Sequence, residues 1–125
     1  MPHLAFDFGL KYIGVAVAEP RHGTATALST VRARDGIPVW DPLDALVRQW
    51  EPEGFIVGLP LNMDDSESDM SDAARRFGVR LERRYGIDVE FVDERLSTFE
   101  AAQRGGSHDT AALIIAETWL NSQAT

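Results

Sequence analysis

The carboxylates of this chain that could do chemistry sit where apolar runs begin or end. Asp7 lies within Leu4-Ala5-Phe6-Asp7-Phe8, a stretch that otherwise reads as buried, and an unpaired buried carboxylate is costly. Such a group is tolerated when a cation meets it, whether a metal or a substrate group. Equally, an Asp at a strand end can hydrogen-bond the following turn, here Gly9-Leu10-Lys11. Asp93 and Glu94 close a second apolar run, and Asp109 opens an apolar segment. Three carboxylates on one site would suit hard divalent cations, Mg²⁺ or Mn²⁺ first. Two such ions about 4 Å apart clamp the attacking water and the leaving oxygen of a phosphodiester. Without metal, the gathered acids would repel one another and raise at least one pKa.

The elements that must position these groups follow from periodicity and turn chemistry. Residues 3–9 and 12–19 read as strands joined by the Gly9-Leu10-Lys11 turn, and 24–31 as a third strand. Asp41-Pro42 opens a helix with Asp as N-cap and an apolar stripe of Leu43, Leu46, Val47 and Trp50. Phe55 to Gly58 is a short strand of the buried type. A long helix follows, from about Ser66 to Tyr85, with Met70, Ala74, Phe77 and Leu81 on one face and Gly86 at its end. Its other face carries Arg76, Arg80, Arg83 and Arg84, read as a solvated surface in preference to a binding stripe. Ile87 to Val92 is the fifth strand. Ser97 to Glu100 has capping-box spacing for a short helix, and a last helix runs from about Asp109 to Asn121.

This order predicts one α/β domain over residues 1–125. Its five-stranded mixed sheet has three antiparallel strands, then two parallel ones, with helices on both faces. The first, fourth and fifth strands then point their C-terminal ends to one edge of the crevice. Asp7, the Gly58-to-Asn62 segment and Asp93-Glu94 all fall there. Neighbouring strand residues face opposite ways, so only one of Asp93 and Glu94 can share a site with Asp7. Asp109 shares a helix face with Ala112, Ala116 and Leu120, and it is also well placed to be an N-cap. His3, His22 and His108 lack ligand spacing and read as surface or loop residues.

Composition narrows the classes. Hydrophobic content of 44% and charged content of 26% are those of an ordinary globular protein. No apolar run approaches a membrane span, and no export signal is visible, which fits a cytoplasmic protein. The absence of cysteine excludes disulfides, thiolate metal sites and cysteine nucleophiles. The formal charge of −8 is unhelpful for nucleic-acid binding. Distribution matters more, however: five carboxylates crowd positions 64–72 and five arginines positions 75–84.

Four blocks, AFDFGLKYIGVAVAE, IVGLPLNMDDSES, VDERLSTFEAA and HDTAALIIAETWL, resemble in order and spacing the signature blocks of the YqgF (RuvX) family. That family is described as pre-16S rRNA nucleases or Holliday-junction-resolvase-like proteins. The resemblance covers essentially the whole chain. It implies an RNase H-like fold and a metal-dependent nuclease site carried over to Asp7, Glu94 and Asp109. Three departures stand out: Tyr12 where the family often has Arg, Asp65 where it often has Gly, and Arg104-Gly105-Gly106-Ser107 in a loop that is often basic. Each removes positive charge or flexibility near the substrate path and leaves the three carboxylates in place.

The expected activity is phosphodiester hydrolysis on structured RNA, above all the 5′ end of pre-16S rRNA, with branched DNA as the alternative substrate. Lys11 and Arg95 would contact the substrate backbone beside the metals, and Asn62 a sugar or phosphate. Junction cleavage would favour a homodimer with two sites. A non-catalytic RNA-binding factor in ribosome maturation or transcription is a separate reading, motivated by the acidic balance. A sugar-kinase-like ATPase would need a second such domain, which 125 residues do not supply.

Overall fold

A computed structural model describes residues 1–59, 69–93 and 108–123. Strands β1 (His3–Asp7), β2 (Tyr12–Glu19), β3 (Thr24–Arg34) and β4 (Ile37–Pro38) come first. Helix α1 (Trp40–Trp50), strand β5 (Gly54–Leu59), helix α2 (Asp69–Tyr85), strand β6 (Val89–Asp93) and helix α3 (His108–Gln123) follow. The sheet order is β4-β3-β2-β1-β5-β6. The first four strands run antiparallel to their neighbours, and β1, β5 and β6 run parallel to one another.

The sheet therefore has six strands, not the five expected. The extra strand comes from Asp35-Gly36, whose φ values of 51° and 82° are both positive. With Arg34 opposite Ile37, these two residues form the two-residue loop of a hairpin, the geometry for which Asp-Gly is favoured. The loop extends β3 to Arg34 and turns the chain back into β4.

Strand alternation divides the molecule into two unlike layers. On one face Leu4, Phe6, Ile13, Val15, Val17, Phe55 and Val57 meet α1 and α2 through Leu43, Ala74, Phe77 and Leu81. Bulky rings fill this layer: Phe6 stands edge-on to Phe55 and Phe77, at 5.7 and 5.5 Å between centroids. On the other face Ala5, Ala16, Ala18 and Ile56 receive Ala112, Ile115, Ala116 and Trp119 of α3. Alanines on both sides of that contact let α3 lie close against the strands. The apolar stripes read from the sequence for α1 and α2 are the buried ones.

Several boundaries differ from expectation. Helix α1 begins at Trp40 after Val39, which makes no side-chain cap. Asp41 is thus in the first turn, where a carboxylate still favours the helix dipole, and is not the N-cap. The first strand ends at Asp7, although Phe8 stays buried beneath the turn. Gly86, at φ 67°, ends α2 as expected and donates its N–H to the Glu82 carbonyl at 2.8 Å. The expected capping-box helix at 97–100 lies outside the described residues.

Candidate active site

Asp7 is the last residue of β1 and is only 6% exposed. Ala5 packs under α3 while Leu4 and Phe6 pack under α2, so alternation turns the Asp7 carboxylate toward α3. Its ladder partner is Gly14 of β2. A Cβ built on Gly14 would lie 1.9 Å from the His108 carbonyl oxygen and 2.9 Å from the Asp109 backbone nitrogen. The first turn of α3 thus rests directly on the strand backbone beside Asp7, and only glycine permits it. This approach brings Asp109 to the Asp7 end of the sheet.

Asp109 is the second residue of α3, and its Oδ1 accepts the Thr110 N–H at 3.1 Å. That local bond orients the side chain, and because the helix already begins at His108, Asp109 lies in its first turn and is not the N-cap that the sequence suggested. His108, expected to be a surface or loop residue, is exposed as the first residue of α3, and its ring lies beside the same place. Its Nδ1 is 3.7 Å from Asp7 Oδ2, and its ring stacks on Tyr12 at 5.4 Å and 23°. Neither Gly14 nor His108 stood out in the sequence. The signal for Gly14 was a glycine inside an otherwise unbroken strand, which marks close backbone approach.

Lys11 is exposed in the turn after β1. That turn is fixed to the hairpin: the Ala33 N–H donates to the Lys11 carbonyl at 2.8 Å, and the Gly36 N–H to the Leu10 carbonyl at 3.0 Å. Gly9 keeps the turn tight, since a Cβ there would come within 2.4 Å of the Tyr12 carbonyl oxygen. Asp93 ends β6 opposite Leu59 and is exposed. Val89 and Phe91 pack on the α2 layer, whereas Val92 packs on the α3 layer and Glu90 accepts the Trp119 indole N–H at 2.7 Å. Asp93 accordingly takes the face opposite to Asp7. Glu94, Arg95 and Asn62 lie outside the described residues. Among the described residues, no three His, Cys, Asp or Glu side chains gather closely enough to hold a metal ion.

The arginines of α2 divide into two sets. Arg76, Arg80 and Arg83 are exposed and, with Arg75 and Val79, line a shallow groove of about 320 Å³. Arg84 is structural: it makes a two-pronged pair with Asp44 of α1, at 2.9 and 2.7 Å, and lies 4.4 Å over the Trp40 ring. Arg84 and the Tyr85 hydroxyl hold the Asp44 carboxyl at a pKa of about 2.

Among the described residues, no helix is long and apolar enough to cross a membrane. The family model described as "RuvX: Holliday junction resolvase" matches residues 1–122. A protein of Nitrosococcus oceani named "Putative pre-16S rRNA nuclease" is 50% identical, over 98% of this chain and 88% of its own length. One of the same name from Marinobacter nauticus is 47% identical, over 97% of this chain and 93% of its own. Among solved structures, T. thermophilus RuvC in complex with a Holliday junction substrate superposes with a TM-score of 0.62. It is 15% identical and covers 98% of this chain and 95% of that one. Fowlpox virus resolvase, solved with Holliday junction DNA, gives 0.60 at 9% identity over 100% of both chains. These likenesses show the fold, which is the RNase H-like one that the four sequence blocks implied. A match over nearly the whole chain, together with relatives as much as half identical to it, makes this chain a member of the RuvX family of nucleases.

Proposed function

We propose that this nuclease hydrolyses phosphodiester bonds of structured RNA, in the maturation of the 5′ end of pre-16S rRNA in the cytoplasm. Asp7, Asp109 and Glu94 are its metal-holding carboxylates in this reading, and residues 1–125 form one catalytic domain. The observation that carries it is the buried Asp7 carboxylate at a strand end, faced by the first turn of α3 across Gly14. A carboxylate only 6% exposed favours a cationic partner, and the oxygen donors here fit Mg²⁺ or Mn²⁺ better than softer ions. Asp7 and Asp109 supply two donors, and the third must come from outside the described residues. With Asp93 on the far face, alternation along β6 favours Glu94.

A pair of such ions would supply an activated water and stabilisation of the leaving 3′ oxygen. The chain's own part is positional. The β1–β2 ladder fixes Asp7, and the Thr110 N–H orients Asp109. The pinned turn presents Lys11 to a phosphate entering beside them, with Arg95 and Asn62 as the further substrate contacts.

The family description favours one second reading, cleavage of branched DNA, which calls for a homodimer with two sites. Both readings are tested by a labelled panel: precursor rRNA 5′ fragment, single-stranded RNA, duplex DNA and a four-way junction. Each is incubated with Mn²⁺, Mg²⁺ or EDTA, using wild type beside Asp7→Asn. Metal-dependent cutting of the rRNA fragment, lost in Asp7→Asn, is expected. Preference for the junction would move the substrate to DNA. A folded protein that binds RNA equally well with EDTA and with Asp7→Asn, and cuts nothing, would make it a binding factor.

A further inference from the structure

Beside the carboxylates, on the same face of the sheet, lies a strip that the catalytic reading does not use. Ile13, Val15 and Val17 of β2 point into the α2 layer, so Tyr12 points to the α3 side, where it stacks on His108. Tyr12 is nevertheless 42% exposed. Its ladder partner on β3 is Arg32, and Val31 and Ala33 pack on the α2 layer, so Arg32 and Arg34 also take the α3 side. Ile37, opposite Arg34, continues the strip with 42% exposure. An aromatic ring flanked by arginines and an exposed aliphatic side chain is therefore carried from the site out along the hairpin. Lys11 is in the adjoining turn, and two backbone hydrogen bonds fix that turn to the hairpin.

We infer that Tyr12, Arg32 and Arg34 form a platform for an unpaired strand leaving the cleavage site, with a base stacked on Tyr12 and phosphates on the arginines. The inference rests on the nuclease reading and names its substrate class: a bond flanked by unpaired nucleotides. Charge complementarity supports it. In a chain of net charge −8 with one lysine, three cations at one sheet edge next to the carboxylates suit a polyanion. Stacking supplies the selectivity, because a paired base is already covered on both faces and an unpaired one offers a free ring. The arginine row of α2 cannot serve the same strand beside the site, because α2 covers the opposite face of the sheet.

The test is equilibrium binding in EDTA, read by fluorescence anisotropy, with an RNA hairpin bearing a single-stranded 5′ extension and the same hairpin blunt-ended. Tyr12→Ala should weaken binding of the extended hairpin about tenfold and leave the blunt one unchanged, while Tyr12→Phe keeps wild-type affinity. Arg32→Ala should reduce the salt dependence of binding by about 0.7 in the log–log slope. Equal effects of Tyr12→Ala on both hairpins, or a Tyr12→Phe variant as weak as Tyr12→Ala, would overturn the platform. The two readings fail separately. Discrimination by Tyr12 without metal-dependent cleavage keeps the platform and removes the nuclease, whereas cleavage with binding indifferent to Tyr12 does the reverse.

Discussion

Gly14→Ala is the sharpest probe of how the fold assembles the site, because it adds one methyl group at a point with no room for it. The new Cβ would sit 1.9 Å from the His108 carbonyl oxygen and 2.3 Å from its carbon, and these are backbone atoms that cannot rotate away. Restoring ordinary contact at about 3.4 Å moves the start of α3 by about 1.5 Å relative to β2. Overpacking of this kind costs about 1–3 kcal/mol, so the variant should fold with a melting temperature lower by several degrees. The larger effect is on activity. A displacement of about 1 Å in a catalytic group costs on the order of a hundredfold in rate, and here Asp109 moves while Asp7 stays in its ladder. The control is Ile13→Val, the neighbouring residue on the opposite face, buried to 1% exposure. It should lose about 0.5–1.5 kcal/mol and keep nearly full activity. Metal-dependent cleavage and thermal melts on both variants make the comparison. Gly14→Ala with wild-type turnover would refute the claim that this contact positions Asp109, and equal losses in both variants would reduce it to general destabilisation.

Two further predictions concern stability. Asp44 is held at about 2 by hydrogen bonds from Arg84 and Tyr85, against 3.8 unfolded. Its contribution is therefore present above pH 3.8 and lost as the pH falls toward 2, and Asp44→Asn should flatten that part of an acid-unfolding profile. Arg84→Ala should lower the denaturant midpoint slightly, through loss of the exposed ion pair with Asp44 and of the contact with Trp40. Burial lowers the pKa of His3, whose ring stacks on Trp119 at 4.4 Å. The unfolded chain then takes up the proton first, so stability should fall as the pH drops below 6.5, and His3→Phe should remove that fall.

The sequence was most legible where pattern and packing agree. Met70, Ala74, Phe77 and Leu81 recur at helical spacing, and all four meet the α2-side core. Small residues at 112 and 116 announced a helix lying close to the sheet, and α3 does so. The hairpin of β3 and β4 was missed although its Asp35-Gly36 signal was present, because a two-residue strand leaves no alternation to detect. The start of α1 shifted because Pro42 is compatible with more than one position in a first turn. In the candidate site, residue type and strand-end position drew attention to Asp7, and Asp109 rested on the family resemblance, but what joins them was not legible. Gly14 acts through a contact with residues 108 and 109, nearly a hundred positions later in the chain, and periodicity carries no information about such a partner. The choice between Asp93 and Glu94 illustrates the converse. Alternation alone limited it to one, and the packing of Val89, Phe91 and Val92 then assigned Asp93 to the far face.

The charge of the chain weighs against nucleic-acid binding only if it is spread evenly, and it is not. Among the described acidic residues, Asp44 is engaged by Arg84 and Glu90 by Trp119. On the α3 side of the hairpin, Arg32 and Arg34 stand with Tyr12 at the edge that carries Asp7. A relative with arginine at position 12 would add charge at that spot, where this chain offers a ring held flat by His108. Stacking is far less sensitive to salt than phosphate pairing, because it releases no counterions. On the platform reading, a ring at position 12 favours unpaired bases over non-specific attraction. An acidic chain can act on a polyanion in this way, with a few of its cations placed close to the site.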